Sequence, residues 1–137
     1  MAVGWAASEV TLRPSLLRAY HLTSYHAAGQ AVRIGCHPPG SLLAHLRSRH
    51  AVFITAWNPL SRRMPRGWND RAQRRLELHL RRFRSLNGHG SLGTWHEAHL
   101  LVAGHPGAIS RIARRFRQSA IVVLQQGRKA RLMLLQP

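Results

Sequence analysis

The stretch FITAWNPLS, Phe53 to Ser61, begins as a core strand and ends in polar chemistry. Phe53 to Ala56 suit a buried run, while Thr55, Asn58 and Ser61 supply hydroxyl and amide groups beside the flat ring of Trp57. At the carboxyl end of a strand such groups face the crevice in which open α/β sheets hold ligands, with Trp57 as wall or stacking surface. The same residues also suit a plain turn. Pro59 would stop the strand, Asn58 and Ser61 would bond locally, and Trp57 would pack into the core.

Other chemistry is scarce. Ten histidines raise the question of a metal, above all His89, His96 and His99 in GHGSLGTWHEAH. Zinc needs three or four ligands in fixed geometry, and HEAH is not the helical HExxH pattern. In an extended segment His96 and His99 point to opposite faces, so neither a metal site nor a cofactor is expected. Cys36 is the single cysteine, which leaves no internal disulfide and fits a spare thiol in a reducing cytoplasm. Of the four acids, Asp70 suits a helix N-terminus and Glu77 the neighbourhood of Arg74 and Arg81, so a paired-carboxylate mechanism is hard to build.

The elements that must position these groups follow from periodicity. A chain of 137 residues fits one domain, with a core over about residues 14–136 and residues 1–12 as a flexible lead-in. Pro14 opens a helix carrying Leu16, Leu17 and Tyr20, and Thr23 to Ile34 reads as a hairpin turning at Gly29. Ser41 is placed to cap a helix with Leu42, Leu43 and Leu46 on its apolar face. AVFITAW is a strand buried on both faces. Asn69 then caps the longest helix, to about Leu86, with Ala72, Leu76, Leu80 and Phe83 inward and Asn87–Gly88 closing it. EAHLLVAG is a strand, Ala108, Ile109, Ile112, Ala113 and Phe116 line a helix, and AIVVLQQ and ARLMLLQ form a closing hairpin. The expected fold is therefore α/β (mixed α+β). It has one compact domain, a mixed, mostly buried sheet of about five to six strands and crossover helices, in the order αββαβαβαββ.

Charge dominates the composition. Twenty-one basic residues against four acidic ones give a net charge of +17, and all the basic residues but Lys129 are arginine. Arginine forks onto phosphates and stacks on bases, so nucleic acid or another polyanion is the expected partner class. A GC-rich coding bias would produce the same arginine excess. Arg71, Arg74, Arg75 and Arg82 on one helix, with Arg111, Arg114 and Arg115 on the next, would form one anion surface if both helices share a side of the sheet. No run approaches the roughly 18 apolar residues of a membrane span, and the N-terminal residues lack the basic start of a secretory signal. The expected location is the cytoplasm.

From about Leu16 to Val123 the chain resembles a family of small bacterial proteins classed as domain of unknown function 3293. The resemblance rests on Tyr20, Thr23 and Tyr25 in a YxxTxY element, the TAWNP block ending at Ser61, Asn69, Glu97, and Phe116 with Gln118. Ala98, His99, Arg117 and Ser119 depart from the pattern; Arg117 stands where a glycine is usual, at a cost of about 1 kcal/mol if the turn is left-handed. The resemblance implies a polar constellation of Asn58, Ser61, Asn69, Glu97 and Gln118 around a small polar ligand. Glu97 is its matched carboxylate and so the candidate catalytic acid or base. Two functions remain open: a binding module with a strand-end pocket and a basic helix surface, or a small enzyme in which Asn58, Ser61 and Gln118 orient substrate for Glu97.

Overall fold

The computed structural model describes residues 12–135, so the expectation for residues 1–11 lies outside the described residues. Helix α1 (Pro14–Leu22) leads into a hairpin of β1 (Ser24–Ala27) and β2 (Gln30–Val32), which turns through Ala28 and Gly29, both at positive φ. Helix α2 (Gly40–Leu46) precedes β3 (His50–Ile54), and α3 (Arg66–His79) follows a short 3-10 turn at Pro59–Ser61. Strands β4 (Ser85–Leu92) and β5 (Trp95–Ala103), helix α4 (Pro106–Arg115), and strands β6 (Ala120–Gln125) and β7 (Arg131–Leu134) complete the order.

One seven-stranded sheet, ordered β2-β1-β4-β5-β3-β6-β7, holds these strands, and each neighbouring pair is antiparallel. Strands β3 and β4 both oppose β5, so they share a direction, and α3 joins them past it. Helix α4 joins β5 to β6 past β3 in the same way. The segment from β3 to β6 is thus the ferredoxin-like split β-α-β arrangement. This corrects the mixed sheet read from the sequence: the crossover helices exist, but each skips one place and an antiparallel strand fills the gap.

The strand count is corrected as well, from about five or six to seven. Asn87–Gly88 does not close a helix. Helix α3 ends at His79, seven residues short of the expected Leu86, and SLNGHGSL is β4. A run so rich in Gly, Asn and Ser has little strand propensity of its own; its neighbours impose the pairing. A Cβ at Gly88 would collide with the His26 carbonyl, and one at Gly90 would lie 2.9 Å from the His99 ring. Two expected caps move too. Asn69 lies within the first turn of α3 after an N-cap at Pro65, and Ser41 follows a Pro39 N-cap and accepts a bond from Gln30 instead.

Both faces of the central strands are buried, as the run AVFITAW implied. Val52, Ile54, Leu100, Val102 and Ile121 pack under α3 and α4, through Ala72, Leu76, Ile109 and Ala113. The two helices therefore lie on one side of the sheet. Phe53, Leu101, Val122 and Leu124 face the other side, with Leu42, Leu43 and Leu46 of α2 and with Tyr25. The Tyr25 and Phe53 rings are only 5.6 Å apart, although three strand spacings, about 14 Å in a flat sheet, separate β1 from β3. The sheet curls into a half-barrel with this face inward, and the two glycines of β4 leave room for the rings to meet.

Gly90→Ala should destabilise the protein by about 1–3 kcal/mol, because the buried His99 ring has nowhere to retreat. Gly67→Ala on the exposed start of α3, where the new Cβ meets nothing closer than 3.5 Å, should be neutral or gain up to about 1 kcal/mol. Urea-unfolding midpoints of the two variants decide it.

Candidate functional site

Beyond β3 the backbone turns through an uncommon path. Asn58, Leu60 and Ser61 all take left-handed conformations, with φ of 49°, 53° and 61°. Such residues cost about 1–2 kcal/mol each unless their surroundings dictate them. Here Asn69 dictates the first: its Oδ1 accepts from the Asn58 backbone N–H at 2.9 Å, and its Nδ2 donates to Asn58 Oδ1 at 3.0 Å. The Met64 N–H donates to the same Oδ1 at 2.9 Å. With its oxygen twice bonded, the Asn58 amide has one orientation, and its Nδ2 donates to Glu97 Oε2 at 3.1 Å. Leu60 is fixed from elsewhere, its N–H donating to the Arg117 carbonyl at 2.6 Å. Arg117 itself is left-handed, at φ 55°, which is the conformation that favours glycine there.

Thr55 and Gln118 fasten the same loop to the sheet. The Thr55 hydroxyl donates to the Ala98 carbonyl at 2.6 Å and accepts from the Trp57 N–H at 3.0 Å. Gln118 Nε2 donates to the carbonyls of Trp57 and Phe116 at 3.1 and 3.2 Å. Gln73, not singled out from the sequence, accepts the Ala56 N–H at 2.9 Å. The Ser61 hydroxyl lies 3.2 Å from that of Ser119.

Most of these residues line one cleft of about 820 Å³, bounded by the concave sheet face at Tyr25, Phe53, His99 and Val122 and by the start of α3. Thr55, Trp57, Asn58, Ser61, Asn69, Glu97 and Gln118 all line it, so blocks up to 63 residues apart in sequence converge on one place. Of these, Thr55, Asn69 and Gln118 are buried with their polar atoms engaged by the loop, whereas Trp57, Asn58 and Ser61 retain exposure. The lining also includes Tyr20, Thr23, Tyr25, Trp95 and His99. The tyrosines carried a signal in the YxxTxY element. His99 stood out in the sequence only as one of three clustered histidines and as a departure from the family pattern; its place in the cleft depends on the missing side chain of Gly90.

Glu97 is the acid of the cleft and is only 9% exposed. Burial pushes its carboxyl from 4.5 up to about 8, with the Asn58 bond pulling the other way. His99 beside it is driven down to about 4 by burial, against the pull of its bond to the Glu97 carbonyl. That bond, 3.1 Å from His99 Nδ1, puts the imidazole proton on Nδ1 and leaves the Nε2 lone pair 3.7 Å from Glu97 Oε1. At neutral pH the contact therefore joins a carboxylic acid and a neutral imidazole and is not an ion pair. Burial also raises Tyr20 to about 12, with Ser61 opposing and Glu97 adding to the rise, and raises Tyr25. Among the described residues no group of three or more His, Cys, Asp or Glu is arranged to hold a metal ion.

Residues 54–121 match a family model described as a protein of unknown function, DUF3293. The chain belongs to the DUF3293 family. The matched span runs from the end of β3 into β6, most of the split β-α-β unit, and holds every one of the convergent polar residues from Thr55 to Gln118. The YxxTxY element precedes it. No curated protein and no solved structure matches the chain. In this DUF3293 member the seven anion-surface candidates, Arg71, Arg74, Arg75, Arg82, Arg111, Arg114 and Arg115, are all exposed and lie on or just after α3 and α4, away from the cleft.

The buried pair fixes how stability depends on pH. Folded Glu97 keeps its proton up to about pH 8 while the unfolded chain releases it near 4.5, so stability falls as pH rises through that window. His99 acts oppositely: the unfolded imidazole binds a proton below 6.5 and the folded one only near 4, so its contribution grows from about pH 4 to 6.5. From pH 6.5 to 8 Glu97 alone of these shifted groups acts, since the raised tyrosines begin to contribute only near pH 10. Between pH 6.5 and 8 the wild type should lose up to about 1.4 kcal/mol per pH unit that Glu97→Gln does not lose. Urea titrations of both proteins at the two pH values check this, and parallel losses would contradict it.

Proposed function

We propose that this protein is a single-domain cytoplasmic binding module whose cleft holds a small polar ligand. The supporting observation is the convergence of Asn58, Ser61 and Glu97 at one cleft, held by residues whose own hydrogen bonds serve only to orient them. Orientation fixed before ligand arrives lowers the entropy cost of binding, which is what three left-handed residues and a buried acid would be retained for. A fragment screen followed by amide NMR tests it. Shifts clustered at Tyr20, Asn58, Ser61 and Glu97 are expected; fragments that bind only elsewhere would reject the reading.

A second reading has its own support. Glu97, raised to about 8, can exchange a proton near neutral pH, as a general acid or base must. In that case Asn58, Ser61 and Gln118 orient substrate. Glu97→Gln preserves shape and removes the proton, so unchanged ligand affinity with lost turnover would favour the enzyme.

The outer faces of α3 and α4 serve as a polyanion surface in this proposal, for phosphate or nucleic acid. Both helices pack on one side of the sheet and their arginines are exposed, which supports a continuous basic face. Reversing Arg71, Arg74, Arg111 and Arg114 to glutamate should lower the slope of log affinity against log salt by about 3–4 for short duplexes. Retention matching the wild type, measured beside a basic control protein of equal charge, would remove this surface from the function.

A further inference from the structure

Glu97 is an anomaly of placement. The chain has 21 basic residues and four acids, yet among the described residues no arginine or lysine lies within ion-pair distance of this buried carboxyl. Asp70, a half-buried acid of α3, has Arg66 at 3.7 Å. Glu97 has an amide proton on Oε2 and, 3.7 Å from Oε1, an imidazole nitrogen too distant for a hydrogen bond. A carboxyl this buried ordinarily has a cation beside it. Here the space beside it is open cleft.

The walls of that space suit a cation as well. Tyr20, Tyr25, Phe53, Trp57 and Trp95 line the cleft, and aromatic ring faces carry the negative end of the quadrupole. Trp95, 41% exposed at the β4–β5 turn, stands at the solvent side. We propose that the cleft takes a small organic cation, an ammonium or guanidinium on an apolar body, seated against Glu97 and between aromatic walls. This rests on the cleft being a ligand site.

Opposing charges sit at the mouth. Arg63 and Arg66 line the rim, both exposed, and Arg66 is already turned toward Asp70. His96 is exposed there too. In solvent the two guanidinium charges are screened within about 8–10 Å at physiological salt, whereas the carboxyl acts in the desolvated interior. The groups that face Glu97 from the packed elements are His99 of β5, Tyr20 of α1 and Tyr25 of β1, and at neutral pH all are uncharged. An anion would meet the carboxyl and the ring faces together.

A proton balance follows. The free cleft holds Glu97 as the acid at neutral pH, and the bound cation requires the carboxylate, so binding releases a proton to solvent. Affinity for a cation should therefore rise about tenfold per pH unit from pH 6 to about 8 and then level off.

The test uses three probes of one shape, benzylammonium, benzyl alcohol and benzoate, titrated against the wild-type protein at pH 6, 7 and 8. Tryptophan fluorescence and amide NMR shifts report binding. Benzylammonium is expected to bind best, with the stated pH rise. Glu97→Gln should weaken it at least about tenfold at pH 8 and abolish the pH dependence. Trp95→Ala, at an exposed position, should weaken it and leave the pH dependence in place. Equal or better binding of benzyl alcohol or benzoate in the same cleft, or an affinity that is flat or falls with pH, overturns the cation while the cleft stands as a ligand site. Failure of all three probes to shift cleft residues overturns both.

Discussion

The hydrogen bonds between Asn58 and Asn69 govern the site. Without them the chain leaving β3 has no reason to enter the left-handed region at Asn58, and the amide that reaches Glu97 would be free to turn. Each such bond contributes roughly 0.5–1.5 kcal/mol net, the same order as the strain of one left-handed residue. Removing one partner does more than subtract that amount, because it leaves buried donors and acceptors unsatisfied. Thr55, Gln73 and Gln118 extend the same arrangement along the loop. The loop is therefore rigid through side-chain bonds to its backbone, not through secondary structure.

The sheet divides the molecule electrostatically. Its α3–α4 side carries arginines in solvent; its concave side carries one carboxyl among aromatic rings. With Glu97 protonated, both sides can exist without a neutralising ion pair across the core. The arginines of the α3–α4 side say little about the cleft, since screening and the apolar layer between separate the two, and only Arg63 and Arg66 reach its rim.

Much of this was legible in the sequence, for identifiable reasons. AVFITAW announced a doubly covered strand because four successive apolar residues need cover on both faces. TAWNP announced a strand end with polar groups, and the family pattern added Asn69, Glu97 and Gln118 from distant blocks. Strand β4 was illegible because its residues are chosen by what lies across from them: the glycines answer the His26 backbone and the His99 ring, which have no trace in local propensity. Asn69 looked like a cap because asparagine before a helical pattern usually is one, and only the folded loop reveals that its amide is addressed to Asn58. The antiparallel sheet was illegible for a related cause. Crossover helices look the same in sequence whether the gap they leave stays empty or is later filled by β5.

Gly88 and Gly90 also act as register marks. Along β5 the inward residues are Glu97 and His99, while His96 points outward beside His89 and His26, whose rings stack at 4.5 Å. A slip of one residue between β4 and β5 would exchange the two sets and turn the carboxyl to solvent. Only the native alignment sets the side-chain-free positions of β4 where the Phe53 and His99 rings need space. The glycines thus fit one register alone, and a hairpin paired one residue out of step would lose its acid before it lost its sheet.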